Sequence, residues 1–295
     1  MYKPLVVYKR DEIPEVTVFG AVSVWSGGRV VFSIGDDVLI YGRSLTKPYQ
    51  MKPIAADLRD LPPRTRALTV ASHNAEPMHL EGVSEIGNFA LKLPEASPLM
   101  KPWLAKSKAN HPCSGKHSAI LRASRKHGWP EDTYLSQSHP YHEAYLRSLQ
   151  LVLGSRWAPL RTAVDGCGLP TPSLHLSELA HLYEALSARR DDDWIWSAMT
   201  SHPEMVGGAD RLDTEIMRLN NGAVVAKEGA DGLLGLAFAV DGVSYGIAIK
   251  ISHGHDPRAS GAVAETLLRH YGFKAPTASA PHGQTLELSQ DLRIV

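Results

Sequence analysis

The chain has 295 residues, long enough to bury a large hydrophobic core in one large domain or two smaller ones. Lysine plus arginine balances aspartate plus glutamate at 31 each, so no net field draws it to nucleic acid or to an anionic membrane, and neither is expected as a partner. The longest apolar run, residues 233–240, is too short to cross a bilayer, and residues 1–11 carry Lys3, Lys9 and Arg10 with no signal-peptide core, so a soluble cytoplasmic protein is the expectation.

Residues 17–25 alternate, Gly27-Gly28 supplies a bend, and residues 29–34 return, which predicts a hairpin. The run Ala67-Leu68-Thr69-Val70-Ala71 predicts a strand ending just before Ser72. Residues 143–153, 177–188 and 193–200 combine helical composition with partial apolar periodicity. Ala223-Val224-Val225-Ala226 predicts a strand with Lys227 at its end. Residues 233–240 and 243–251 flank Asp241-Gly242, the strongest short turn signal in the chain, and predict a second hairpin. Residues 262–271 predict a closing helix, and residues 276–284 a loop leading to a short terminal strand. The fold class expected is therefore α+β in one domain over 1–295: an antiparallel sheet built from both chain ends, about 1–45 and 222–295, with a mainly helical region 46–221 inserted. A catalytic serine would begin a helix buried between the sheet and the helical region.

Three short motifs carry chemistry. In Ser44-Leu45-Thr46-Lys47 a hydroxyl and an amine three residues apart share one face of a helical turn. A Lys47 kept neutral by burial could take the Ser44 proton and leave a nucleophile. The same spacing also arises by chance, with Ser44 as an ordinary helix cap. Ser72-His73-Asn74 is the only S-x-N in the chain, and it puts a second hydroxyl and Asn74 where a chain turn faces a cleft. Lys227-Glu228-Gly229 follows, with Gly229 letting a substrate approach the backbone closely; Lys126-His127-Gly128 also fits K-x-G. Penicillin-recognising enzymes use this order of S-x-x-K, S-x-N and lysine before glycine to build one acyl-transfer site.

Cys113 and Cys167 are the only cysteines, too few for a disulfide framework. With one further donor they could hold zinc and leave a position for water or substrate. Cysteines in general more often pack as buried thiols, like small hydrophobes, and the spacing here does not overturn that reading. His111 and His117 flank Cys113 as other possible donors.

The stretches Gly42-Arg43-Ser44-Leu45-Thr46-Lys47-Pro48, Ser72-His73-Asn74-Ala75-Glu76-Pro77-Met78-His79, Cys113-Ser114-Gly115-Lys116-His117, Asp165-Gly166-Cys167-Gly168 and Pro203-Glu204-Met205-Val206-Gly207-Gly208 resemble the rhizobial-type L-asparaginases, over nearly the whole chain. The resemblance implies a serine β-lactamase and glutaminase fold and hydrolysis of L-asparagine to L-aspartate and ammonia. It implies two serine-lysine tandems, Ser44 with Lys47 and Ser72 with Lys227, a zinc site of Cys113, Lys116 and Cys167, and a homodimer. An oxyanion would be held by the Ser44 N–H and a strand N–H after Gly229. Arg43, Asp165, Arg211 and Asp213 are the candidate anchors for the α-amino and α-carboxylate groups, each equally readable as a surface charge or turn former. Two other readings stand beside this one: a related serine acyl-hydrolase, of glutaminase or β-lactam type, and a non-catalytic zinc-binding protein.

Overall fold

The computed structural model describes residues 1–99 and 101–292. Strands β1 (Lys3–Arg10), β2 (Ile13–Ser26) and β3 (Arg29–Ile34) come from the N-terminal end, followed by the short β4 (Leu39–Tyr41). Strands β5 (Thr162–Val164) and β6 (Pro170–His175) lie mid-chain. The last four are β7 (Val224–Gly229), β8 (Leu233–Val240), β9 (Val243–Ile251) and β10 (Thr285–Leu288). Among the described residues the main sheet has the order β10-β1-β2-β9-β8-β7, with β3 also paired to β2. The two chain ends meet where β2 pairs antiparallel with β9, from Gly20 opposite Ile251 to Trp25 opposite Gly246. Both expected hairpins form. The second turns at Asp241 and Gly242, both at positive φ, which a two-residue turn between twisted strands requires.

The helices between the two strand groups are α1 (Lys47–Met51), α2 (Pro63–Thr69), α3 (Pro77–Ile86), α4 (Ser114–His127), α5 (Pro140–Leu153), α6 (Leu176–Ala188), α7 (Ile195–Ser201), α8 (Pro203–Val206) and α9 (Leu212–Leu219). The closing helix, α10 (Pro257–His270), begins on an Asp256 side chain that accepts from the Ala259 amide at 3.0 Å. The architecture is α+β, as the strand and helix pattern implies. Two expectations change. Residues 67–69 complete α2 rather than forming a strand before Ser72. Pro63 occupies the first helical position after Pro62, and the helix then buries Thr65, Ala67, Leu68 and Thr69. A short apolar run fits a buried strand and a buried helix equally well, so helix packing decided it. The middle of the chain also holds a second, three-stranded sheet, β4-β6-β5, which carries the turn containing Cys167. No helix among the described residues is long and apolar enough to cross a membrane.

Helix α6 lies against the sheet so closely that side chains are excluded at the contact. A Cβ at Gly246 would overlap the Ala180 carbonyl oxygen and the Glu184 amide, and one at Gly235 would overlap the Tyr183 ring. In return Tyr183 reaches across, and its hydroxyl donates to the Leu45 carbonyl at 3.0 Å, fixing the turn that carries Ser44 to α6. Because both atoms met at Gly246 are helix backbone, relief requires α6 to move, and Gly246→Ala should lower the unfolding free energy by about 3 kcal/mol in urea denaturation. A loss below about 0.5 kcal/mol would show that α6 is free to ride up, since that is the range of neutral surface changes.

Candidate active site

A 3-10 turn, Arg43–Thr46, brings Ser44 to the wall of a cavity of about 600 Å³. Arg43 sits at φ 46, a left-handed conformation that costs a non-glycine residue of order 1–3 kcal/mol and persists only where its surroundings hold it. Here the Arg43 amide donates to Thr171 Oγ1 at 3.1 Å, its Nε donates to Asp165 Oδ1 at 2.5 Å, and its Nη1 pairs with Asp231. The expected residues Arg43, Ser44, Ser72, Asn74, Asp165 and Gly229 all line this cavity. Cys113, Cys167 and Arg211 line it too.

Beneath the serines lie two lysines with 0% exposure. Lys47, the first residue of α1, donates from Nζ to Ser72 Oγ at 2.9 Å and also bonds the Ala71 carbonyl. The lysine of the S-x-x-K motif thus hydrogen-bonds the second serine, while the Ser44 hydroxyl has no hydrogen-bond partner among the described residues. Lys227, on the edge strand β7, donates to the Glu228 carbonyl at 2.7 Å and lies 3.4 Å from Asp213 Oδ2. No hydrogen bond joins Lys227 to Ser72 among the described residues, so the direct contact expected of that tandem is taken over by Lys47. Burial pushes both amines down. Lys227 falls to about 8, with desolvation and the nearby Lys47 and Arg211 charges outweighing Asp213. Lys47 is lowered by desolvation, against the pull of the Cys113 sulfur.

Asp213 is corrected as a substrate anchor. It is 0% exposed, does not line the cavity, and accepts from the amides of Thr214 and Glu228, each at 3.0 Å. It is the counter-ion of Lys227: burial alone would raise its pKa, but the Lys227 and Arg211 cations and the Glu228 amide hold it below the usual carboxylate range. A single buried aspartate gives no sequence signal that separates these roles.

The Ser72-His73-Asn74 segment is extended and clamped on both sides. The Ser72 and Asn74 amides donate to the Val206 and Gly207 carbonyls, each at 2.9 Å, and the His73 amide to Pro112 O at 3.3 Å. His73 Nδ1 accepts from the Ala75 amide at 3.0 Å, which leaves Nε2 as the donor to Ser114 Oγ at 2.9 Å. Burial, with His79 and Lys47 nearby, keeps its pKa well below the ordinary imidazole value, so the ring is neutral. Arg211 ties the third side: Nη1 donates to Ser72 O at 3.0 Å and Asn74 Oδ1 at 3.2 Å, and Nε to Glu228 Oε2 at 2.9 Å. Sequence reasoning missed His73, Thr171, Glu228 and Asp231 as participants. His73 and Glu228 were detectable as the central residues of the two motifs that bracket them.

The model of a protein family described as L-asparaginase II matches residues 6–291. The chain belongs to the L-asparaginase II family. The family's function is that of an asparaginase-type amidohydrolase acting on a small-molecule substrate. Among curated proteins none matches. A solved chain from Bacteroides dorei DSM 17855, described as a "putative beta-lactamase", is similar at TM-score 0.43 and 15% identity, covering 79% of this chain and 85% of that one. That similarity is too distant to carry an argument.

In this L-asparaginase II family chain the donor set expected for zinc is assembled. Cys113 caps α4, Lys116 follows in its first turn, and Lys116 Nζ donates to Cys167 Sγ at 3.3 Å. Two donors at that separation can share one ion at zinc–sulfur and zinc–nitrogen lengths near 2.3 and ~2.1 Å. The neighbouring Cys167 thiol, with the Lys47 and Lys116 charges, holds Cys113 well below the ordinary thiol range, while Cys113 and burial push Cys167 up. Burial opposes charge on Lys116, but Cys167 and Cys113 outweigh it and raise its pKa. No group of three histidine, cysteine, aspartate or glutamate side chains among the described residues could hold a metal, so a zinc here depends on the lysine. The residues fit the ion, whose binding would displace the amine and thiol protons.

The ordinary lysine value of 10.5 falls to about 8 at Lys227, so its amine is largely neutral above that pH and able to take a proton. An NMR titration of lysine ε-carbons, assigned with Lys227→Arg, should show one midpoint near 8. In Asp213→Asn the midpoint should move lower still, because the carboxylate favours the ammonium; an upward move would reverse the assigned role of Asp213.

Proposed function

We propose that the chain hydrolyses the side-chain amide of L-asparagine to L-aspartate and ammonia through a serine acyl-enzyme. The observation that carries this reading is the 2.9 Å contact from Lys47 Nζ to Ser72 Oγ beneath a cavity that Ser44 also lines, in a chain of the L-asparaginase II family.

Ser44 is the nucleophile, because it lines the cavity and its hydroxyl has no hydrogen-bond partner among the described residues. Its oxygen bonds to the amide carbon as its proton passes to the Lys47 amine, which desolvation biases toward the neutral form. The tetrahedral oxyanion is held by the Ser44 N–H at the start of a helical turn and by the Ala230 N–H, which follows Gly229 in the cavity wall. Each such donor is worth about 3 kcal/mol where it has been removed in other enzymes. The carbon–nitrogen bond then breaks, and the leaving nitrogen takes a proton through Ser72, whose oxygen already accepts from Lys47. Lys227, paired with Asp213 behind the serines, is a second amine able to hold a proton near neutral pH. Water attacks the acyl-enzyme by the reverse relay, giving L-aspartate and free Ser44.

Cys113, Lys116 and Cys167 would hold zinc, and a bound zinc supplies fixed positive charge at the cavity wall where the two cysteines lie. Arg43 and Asp165 are held to each other and shape the same wall. The family resemblance also supports a homodimer, for which light scattering at twice the chain mass is the check.

Ammonia release from L-asparagine, L-glutamine and a β-lactam tests the reading and its relatives. Ser44→Ala should lose at least about a thousand-fold in kcat with an unchanged circular dichroism spectrum. Retained turnover in the folded variant would falsify Ser44 as nucleophile, and a wild type that prefers glutamine or the β-lactam would move the chain to those activities. Elemental analysis should give about one zinc per chain, lost in Cys167→Ala, while that variant still folds, since a core of this size does not depend on a metal. A wild type purified without chelator and free of zinc would exclude the site.

A further inference from the structure

Glu228 is an acidic side chain on a strand that is otherwise buried and apolar at its start, and it opens to the reaction cavity. Its side chain is 8% exposed. Oε2 accepts from Arg211 Nε, while Oε1 has no partner among the described residues and is not among their sealed, unpartnered atoms. The same is true of Arg211 Nη2, since Nε and Nη1 make all three hydrogen bonds of that guanidinium. Two residues that line the cavity and are joined through Nε and Oε2 thus each keep one polar atom that is neither bonded nor sealed among the described residues. Through Nη1 the pair is one hydrogen bond from the Ser72 carbonyl.

The other two acids in the cavity wall stand in different surroundings. Asp165 accepts through Oδ1 from Arg43 Nε and from the Gly166 amide at 2.8 Å, and it lies two residues from Cys167, on the side of the cavity that would hold zinc. Asp231 is paired with Arg43 and is 67% exposed, so water screens it. In L-asparagine only one methylene separates the amide carbon from the α-carbon. A residue that reads the α-substituents must therefore lie beside the serines, as this pair does.

Resting on the asparaginase reading above, we infer that the Arg211–Glu228 pair recognises the α-amino-acid end of the substrate, with Glu228 Oε1 accepting from the α-ammonium and Arg211 Nη2 donating to the α-carboxylate. Glu228 is then the residue that separates α-amino acids from simple amides. A site built to bond a charged substrate group rejects the analogue lacking it, because its own group is left buried and unpaired.

The test uses Glu228→Gln, which keeps the side-chain shape and an acceptor for Arg211 while removing the charge. Wild type should favour L-asparagine over succinamate, which lacks the α-ammonium, by at least about a hundred-fold in kcat/KM. In Glu228→Gln that ratio should fall at least about tenfold, through loss on asparagine with succinamate unchanged or improved. Equal losses on both substrates would mean that Glu228 only holds Arg211 in place, and would overturn the inference. Calorimetry with L-aspartate and succinate reads the same preference without turnover. If the wild type releases no ammonia yet Glu228→Gln abolishes its preference for L-aspartate, the asparaginase reading fails and the recognition site stands. If the preference is absent from the wild type or survives in the variant, the recognition site fails whatever the activity.

Discussion

Three lysine amines, those of Lys47, Lys116 and Lys227, are buried side by side under one cavity, and the local structure is arranged around the cost of keeping them there. An isolated ammonium taken out of water costs several kcal/mol even after relaxation, so each must either find a partner or give up its proton. The three do so differently. Lys116 meets the Cys113 and Cys167 sulfurs and is favoured as a cation, Lys227 meets Asp213 and is held near 8, and Lys47 meets the Ala71 and Ser72 oxygens and is pushed toward the amine by burial, against the Cys113 sulfur. One compartment therefore holds amines of different basicity, and one of the two that burial lowers lies against the Ser72 hydroxyl.

That arrangement needs elements far apart in the chain to converge. β7 carries Lys227 and Glu228 on the sheet edge, which leaves one side of the strand free to meet α9 and its Asp213. The edge also lets Arg211 reach back to the Ser72 segment. On the far side α4 brings Cys113 and Lys116 against the turn at Cys167 that the small sheet supports. The neutral His73 joins these halves, since its Nε2 bonds Ser114 at the start of α4 while its backbone lies between Ser72 and Asn74. The polar groups beneath the cavity thus form one connected network, in which moving any one member leaves another buried and unpaired.

Much of the fold was legible because its signals are local. Alternation over residues 17–25 and the Asp241-Gly242 pair specify hairpins through side-chain period and turn geometry alone, and both hairpins form. The helices at 140–153, 176–188 and 257–270 follow from composition in the same way. The run at 67–71 was not legible, because a five-residue apolar stretch buries equally well as strand or helix and its neighbours decided between them.

The sequence by itself singled out the side chains able to carry chemistry: Ser44, Lys47, Ser72, Lys227 and the two cysteines offer hydroxyl, amine and thiol groups in ordered motifs, and all lie at or beneath one cavity. Only the tertiary structure decided how they pair. Lys47 meets Ser72 instead of standing alone with Ser44, Asp213 serves Lys227 instead of the cavity, and Glu228 faces the cavity although nothing in K-E-G says which way it points. The reason is physical: proton affinity and hydrogen-bond partners are set by burial and by charges within a few ångströms, and those neighbours come from segments separated by tens to hundreds of residues, a distance over which sequence pattern carries no information about contact.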